Sequence, residues 1–242
     1  MGGDVAPDDT LRSKWDCVPN YAPRRQPVTP YTAPEGDTVY VHVDKDIIAI
    51  DKLAGLLSVP GRGPEKSDCA SARVQAAYPE ALVVHRLDMA TSGLLLMART
   101  KDAQRKLSDG FAKGKMQKTY IAHVSGTPRP PSGLIDLPLI TDWPNRPRQK
   151  IDFETGKASQ TRYETVSKTD TGARIKLSPL TGRSHQLRVH MATIGHPILG
   201  DQLYADEQAR SAAPRLLLHS EALTLTHPRT GKPLTLQSSC PF

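Results

Sequence analysis

Residues 85–93 of the chain read HRLDMATSG, in which Asp88 stands just before a cluster of turn-forming residues. The cluster ends at Gly93, where an apolar run of strand length, GLLLMA, begins. Glycine tolerates the positive φ that such a turn requires. The sequence therefore predicts that Asp88 lies on a loop at the edge of a strand. A lone aspartate in such a loop most often accepts hydrogen bonds from backbone N–H groups. A catalytic role for Asp88 therefore depends on which other motifs accompany it.

Three further motifs accompany Asp88 along the chain. They are KTYIA at 118–122, GRSHQLRVH at 182–190 and GHPILGD at 195–201. In this order the four motifs resemble the RluA family of pseudouridine synthases. The resemblance runs from about Val39 to residue 242 and includes GLLSVPGR at 55–62. Three other segments resemble the members that act on two kinds of RNA: DLPL at 136–139, DWPNRP at 142–147 and PRLLLH at 214–219.

Local patterns predict an α+β domain with many strands and few helices. Strands are expected at 39–43, 47–50, 93–98, 119–124, 161–166, 173–177 and 223–226, and helices at 70–77 and 101–112. The resemblance implies the pseudouridine synthase fold, a mixed and mostly antiparallel sheet with a central active-site cleft. Residues 1–38 contain six prolines and little periodicity, so we expect an extended or disordered tail before a catalytic domain at 39–242. Too few residues precede Val39 for the N-terminal S4-like domain of many relatives, and target recognition should fall on the catalytic domain.

The charge balance favours a polyanionic partner. The formal net charge is +7, and residues 39–242 carry 28 basic against 19 acidic side chains. Such an excess suits RNA, because neutralised phosphates release counterions, although a solvated basic surface gives the same composition. The three cysteines form no CxxC pair, so neither a disulfide framework nor a zinc ribbon is indicated. With no signal core and no apolar run of membrane-spanning length, we expect a cytoplasmic protein without membrane contact. We also expect the protein to be a monomer.

Other classes of site fit the sequence poorly. The HRLD string differs from a kinase catalytic loop, in which Asp precedes Leu and an Asn follows. The Asp-Phe-Gly motif that accompanies that loop in kinases is also missing from the sequence. His185 and His190 are five residues apart, about 140° around a helix, and do not share a metal as i, i+4 histidines do. We therefore predict no metal and no cofactor. A noncatalytic RNA-binding or ribosome-assembly module remains the alternative to an enzyme, since both need a basic cleft.

Isomerising uridine to pseudouridine requires a carboxylate at the sugar, which acts as nucleophile or as base. Asp88 is the candidate, and it needs a neighbouring cation to stay ionised in a closed cleft. Arg183 and Arg188 compete for that position. Ser184 is a reasonable helix N-cap and Gly195 a stop, with Leu187, Met191 and Ile194 on a buried stripe and His185 and Arg188 on another face. The resemblance implies that Arg188 pairs with Asp88, which leaves Arg183 for RNA phosphate.

Tyr120 and Lys118 share one face of a predicted strand. An aromatic residue there is usually part of the core. The resemblance instead implies that Tyr120 stacks on the target base and that its phenol helps to move a proton. Trp143 either stacks on an unpaired base or fixes a loop, and His85 is expected to be a supporting hydrogen-bonding residue. The candidate RNA contacts are Arg62, Arg86, Lys118, Trp143, Arg146, Arg148, Lys150, Arg183 and His185. The resemblance names tRNA, at an anticodon-loop uridine, and 23S rRNA as partners.

Overall fold

The computed structural model describes residues 30–242. Within this range the chain is an α+β structure of twelve strands and four α-helices. The helices are α1 Ala70–Ala77, α2 Lys101–Ala112, α3 Gln186–Thr193 and α4 Glu207–Ser211. The strands are β1 Val39–Val43, β2 Ile47–Lys52, β3 Leu82–Val83, β4 Ser92–Ala98, β5 Gln117–Ser125, β6 Ser132–Asp136, β7 Leu139–Thr141, β8 Gln149–Ile151, β9 Gln160–Thr169, β10 Gly172–Pro179, β11 Leu218–Thr226 and β12 Pro233–Gln237.

Ten of these strands form one sheet, with β1-β2-β4-β11-β5-β10-β9-β6 as its main order. All of its pairings are antiparallel except the short parallel contact between β4 and β11. Gly93 allows that contact, because a Cβ there would lie 2.3 Å from the carbonyl oxygen of Ser220. Ser92 and Arg215 reinforce it, since the Ser92 hydroxyl lies 2.9 Å from His219 Nδ1 and accepts from Arg215 at 3.0 Å. Strands β7 and β8 form a separate hairpin.

The middle of the sheet is buried on both faces. Along β2, Ile47 and Ile48 point to opposite clusters: Ile47 packs with α2 and Ile48 with α1. Both helices begin at a residue whose side chain caps a backbone N–H, Cys69 for α1 and Thr100 for α2, which satisfies donors that a helix start leaves unpaired. Helix α3 packs on the β5–β10 half of the sheet. The cleft lies where these halves meet.

The sequence predicts much of this architecture correctly. The helices predicted at 70–77 and 101–112 have the expected bounds, the helix predicted between Ser184 and Gly195 is present as Gln186–Thr193, and every predicted strand is present, some of them longer than expected. The tail is only partly testable, because residues 1–29 lie outside the described range. Residues 30–38 contain no helix or strand, and hydrogen bonds hold them against the start of α1 and its preceding loop. Tyr31 donates to the carbonyl of Asp68, and Arg73 donates to the carbonyls of Pro34 and Gly36.

Candidate active site

A cavity of about 320 Å³ opens between the Asp88 loop, β5 and the start of α3. This volume is at the lower end of the range for small-molecule sites, roughly 300–1,000 Å³. The cavity brings together the three predicted catalytic residues, Asp88, Tyr120 and Arg188. These residues are far apart in the sequence, and the packing of the sheet halves makes them neighbours.

Residues without obvious chemistry hold the Asp88 loop in place. The Ser58 hydroxyl donates to the carbonyl of Leu87 at 2.7 Å and accepts from its N–H at 3.0 Å. On the other side of Asp88, the carbonyl of Met89 accepts from the Gly55 N–H and from Lys52 Nζ. The motif at 55–62 therefore holds the backbone of the Asp88 loop in place.

Lys52 is a buried cation beneath this loop, with 1% of its surface exposed. Its ammonium donates to three carbonyls, those of Leu53, Leu56 and Met89, at 2.7–3.1 Å. Burial lowers the pKa of Lys52 to about 7, although the charge of Asp88 opposes that change. Three donors matched by three acceptors are the pattern of an ammonium group, so we assign the charged form at neutral pH.

Arg188 occupies the floor of the site and is 4% exposed. Its main partner is Asp201, which accepts from Nε at 2.7 Å and from Nη2 at 2.6 Å. Asp88 Oδ2 lies 3.8 Å from the remaining nitrogen, Nη1. The expected pairing with Asp88 is therefore an electrostatic contact, while the bidentate geometry belongs to Asp201. The sequence interpretation missed Asp201, although its motif at 195–201 had drawn attention to this stretch.

The loop before α3 is fastened by Gln186. Its carbonyl oxygen accepts from the Thr181 hydroxyl and from the Arg183 N–H, and its amide nitrogen donates to Gln160 and Thr161 on β9. The predicted N-cap at Ser184 is wrong, because the cap position belongs to His185, which makes no side-chain cap.

His185 adopts a left-handed conformation, with φ 55° and ψ 13°. Among residues 30–242 it is the single non-glycine residue with positive φ. This conformation costs of order 1–3 kcal/mol and persists where the surroundings enforce it. It turns the imidazole towards the cavity, with Nε2 lying 3.9 Å from Asp88 Oδ2. His185 and Arg188 both line the cavity, although His185 lies before the helix and not on its face.

Tyr120 lies half-buried on β5, between the cavity and the core. Burial raises its pKa to about 12, a hydrogen bond with the Ser220 side chain opposes this, and the charge of Asp88 adds to it. The phenol is therefore protonated at neutral pH. Lys118 lines the same cavity two residues earlier, donates to the carbonyl of Thr181 at 3.4 Å, and has a pKa that burial lowers.

His85 supports the wall of the cavity, as expected from the sequence. Its Nε2 accepts a hydrogen bond from the N–H of Leu96 at 2.9 Å, and its ring stacks on Phe111 at 4.3 Å. Burial lowers its pKa to about 3, and the charge of Lys118 acts in the same direction. His85 is thus neutral at physiological pH and holds β4 against the cavity wall.

Comparisons with known proteins show the family of this chain. Residues 46–193 match the family model described as RNA pseudouridylate synthase. The dual-specificity RNA pseudouridine synthase RluA of Escherichia coli K12 is 54% identical over 205 residues, which are 84% of this chain and 94% of that protein. RluA of Yersinia pestis is 53% identical, over 84% of this chain and 100% of its own length. The chain belongs to the RluA family of pseudouridine synthases.

A solved structure supports the same assignment. Human RNA pseudouridylate synthase domain containing 4 superposes with a TM-score of 0.69 at 25% identity, over 84% of this chain and 88% of that one. The predicted pseudouridine synthase fold is therefore confirmed. As a member of the family the protein is an isomerase, and the catalytic interpretation is favoured over a noncatalytic RNA-binding module.

Eight of the nine candidate RNA contacts of this pseudouridine synthase fall into two groups, one in the cavity and one on the β7–β8 hairpin. Arg86, Lys118, Arg183 and His185 line the cavity itself. A second group lies on the β7–β8 hairpin, where Trp143 is 65% exposed and Arg146 stacks on its ring at 4.5 Å. The other members of this second group are Arg148, whose guanidinium lies 5.6 Å from the centre of the Tyr204 ring, and Lys150, which pairs with Asp152 at 3.4 Å. Arg62 is exposed but is not part of the cavity lining.

Two further observations bear on other kinds of function. Within residues 30–242, the group with spacing suitable for a metal ion is Asp44, Asp46 and His227. Arg229 already binds Asp46 through two hydrogen bonds, and none of these residues lines the cavity. His190 is likewise occupied, by Thr161 and the carbonyl of Leu137. No helix in the described part of the chain has the length and apolarity needed to cross a membrane.

Proposed function

We propose that this pseudouridine synthase modifies a uridine in the anticodon loop of tRNA and a uridine of 23S rRNA, with Asp88 as its catalytic carboxylate. The observation that carries the assignment of Asp88 is its position at the cavity, beside a buried Arg188 that Asp201 holds in a fixed orientation. Dual specificity is proposed because the curated relatives at 53–54% identity are named dual-specificity enzymes.

The reaction exchanges one bond to the ribose for another. The bond from C1′ to N1 of uracil breaks, the base turns, and a bond from C1′ to C5 forms. C5 loses its proton and N1 gains one, so that the reaction needs no redox partner. Asp88 either attacks the sugar as a nucleophile or removes a proton from it, and its negative charge serves both routes. Arg188 supports that charge through its Nη1, 3.8 Å away.

Tyr120 is proposed to stack on the target base and to assist the proton change at C5. The aromatic ring supplies the stacking surface, and the hydroxyl supplies a polar atom at the same place. A pKa of about 12 keeps the phenol protonated before the reaction. Tyr120 therefore acts as a relay: as its oxygen takes the proton from C5, its own hydroxyl proton leaves for N1 of the base or for water, so that the phenol ends the step unchanged.

The target uridine must be flipped out of its base stack to reach Asp88. Unstacking costs a few kcal/mol, and least where the base is unpaired. We propose that Arg86 and Arg183 at the cavity rim and the β7–β8 hairpin offset this cost through phosphate and stacking contacts. Trp143 suits stacking because its ring is exposed on one side and supported by Arg146 on the other. We further propose that residues 39–242 form one catalytic domain that acts as a monomer in the cytoplasm.

The decisive substrates are an anticodon stem-loop and an rRNA hairpin with a similar loop, each paired with a duplex of the same sequence. Uridine tritiated at C5 reports turnover, because its tritium is released only when the new bond forms. We expect both hairpins to react, both duplexes to remain unmodified, and the rate to fall as salt rises. Reaction of one hairpin alone, or of intact ribosomal subunits alone, would contradict dual specificity. An absence of tritium release from every RNA would reject the catalytic assignment.

A further inference from the structure

Tyr204 is a buried tyrosine that contacts both the catalytic pocket and the β7–β8 hairpin, and it is 4% exposed. It follows Asp201 in a turn in which the Asp201 carboxylate accepts from the N–H groups of Leu203 and Tyr204. The same carboxylate binds Arg188. The Arg188 guanidinium lies 5.1 Å from the centre of the Tyr204 ring. The turn therefore places Asp201 and Tyr204 against Arg188 together.

The Tyr204 hydroxyl has two hydrogen-bond partners, and together they determine which of them accepts the hydroxyl proton. The N–H of Gln149 on β8 donates to it at 2.8 Å, and a backbone N–H can only donate. The hydroxyl proton then has His185 Nδ1, 2.6 Å away, as its acceptor. A nitrogen that accepts carries no proton, so a neutral His185 ring must carry its proton on Nε2.

His185 is neutral at physiological pH because burial lowers its pKa; Asp88 and Asp201 oppose this, while Arg188 and Arg86 reinforce it. Its Nε2 lies 3.9 Å from Asp88 Oδ2. That distance is too long for a direct hydrogen bond. The Nε2–H group thus faces the cavity next to the carboxylate and is available to an oxygen atom of a bound nucleotide.

We propose that Tyr204 is a positioning residue that holds His185 in its Nε2–H form beside Asp88, so that His185 donates a hydrogen bond to an oxygen of the bound uridine. This inference rests on the proposed role of the Asp88 cavity. The link through Gln149 adds a structural consequence. Strand β8 belongs to the hairpin that carries Trp143 and Arg146. The Tyr204 hydroxyl therefore bonds both to this hairpin, through Gln149, and to His185.

The protonation form of His185 can be measured directly in the unmodified protein. Two-bond proton–nitrogen correlation spectra of protein labelled with ¹⁵N-histidine distinguish a protonated Nε2 from a protonated Nδ1. The chain contains eight histidines, and the signals of His185 are assigned by their loss from the His185→Asn variant. We expect a single form with the proton on Nε2. A proton on Nδ1 in the unmodified protein overturns the inference.

The Tyr204→Phe variant then tests the effect on catalysis. Phenylalanine keeps the ring beside Arg188 but removes the hydroxyl. We expect His185 to populate both neutral forms and the single-turnover rate to fall about tenfold, the effect of losing one buried hydrogen bond, with a much smaller loss of RNA affinity. Tyr163→Phe is the matched control, because Tyr163 lies on β9 outside the cavity and donates to the carbonyl of Pro130. It should retain the normal rate and spectrum.

The outcomes separate this inference from the proposed function. If Tyr204→Phe reacts at the normal rate with His185 still wholly in the Nε2–H form, Tyr204 does not position His185. If the variant loses affinity for RNA in proportion to its rate, Tyr204 serves binding and the inference is also wrong. An unmodified protein that forms no pseudouridine contradicts the proposed function instead, and the spectrum of His185 then still decides whether Tyr204 sets its protonation form.

Discussion

Replacing Asp201 with Asn tests whether this residue, absent from the predicted catalytic set, holds the site together. Asparagine preserves the oxygen that accepts from the backbone N–H groups of Leu203 and Tyr204. It removes the negative charge and places an amide group against the Arg188 guanidinium. Arg188 is 4% exposed, so its charge would lose its closest partner without gaining access to water.

The expected cost can be estimated from this geometry. Removing one partner of a buried ion pair costs about 3–5 kcal/mol. Asp88 remains as a second anion 3.8 Å from Nη1, so we expect the lower end, about 3 kcal/mol. Urea unfolding of a chain of this size has a slope of about 3 kcal/mol/M. The unfolding midpoint should therefore fall by about 1 M. Arg188 should also shift towards Asp88, and pseudouridine formation should fall sharply.

A matched variant separates burial from charge removal. Asp102→Asn makes the same substitution at an exposed site, where Asp102 pairs with Arg105 and Lys106 on α2. Exposed ion pairs contribute little to stability, so its midpoint should stay close to that of the unmodified protein. If the two variants unfold at the same urea concentration and Asp201→Asn retains full activity, the structural role assigned to Asp201 is wrong.

Three further predictions concern individual side chains. Tyr120→Phe should bind RNA normally because stacking is kept, yet form little pseudouridine in a single-turnover assay; full product formation would limit Tyr120 to stacking. Arg188→Lys should lose much more activity than Arg183→Lys, because lysine cannot form the bidentate contact with a carboxylate; the reverse order in the same assay would transfer the role to Arg183. Burial lowers the pKa of His190 to about 4 in the folded protein, below the unfolded value of about 6.5. Between these two pH values the folded state binds fewer protons than the unfolded state. The contribution of neutral His190 to the free energy of unfolding should therefore be complete above about pH 6.5 and should be lost as the pH falls to about 4. Urea unfolding at several pH values measures this loss, and a His190→Asn variant with the same loss would show that other groups cause it.

Local sequence patterns predict the elements well, because propensity and periodicity act over a few residues. The Lys101–Ala112 helix follows a capping threonine and an amphipathic pattern, and the Asp88 loop follows from its turn residues. The motif order also identified the residues that meet at the cavity. In each case the decisive information is short-range or is carried by the resemblance.

The contacts that organise the site were not predictable in the same way. Ser58, Lys52 and Asp201 act through side chains that reach across the fold, such as the Ser58 bond to Leu87 over 29 residues. No local pattern distinguishes such residues from ordinary turn or surface positions. The failed cap at Ser184 has a similar cause. Gln186 fixes the loop from within α3, and His185 adopts the left-handed conformation next to the helix start.

We have proposed that Asp88, in this cavity, is the carboxylate that isomerises uridine. Asp88→Asn keeps the shape of the side chain and removes its charge, and the loop should persist because Ser58 and Lys52 bind its backbone. The measurement is tritium release from C5-labelled anticodon stem-loop under single-turnover conditions, with RNA affinity measured on the same preparation. We predict background release and unchanged affinity. Appreciable turnover by the purified variant would contradict the claim.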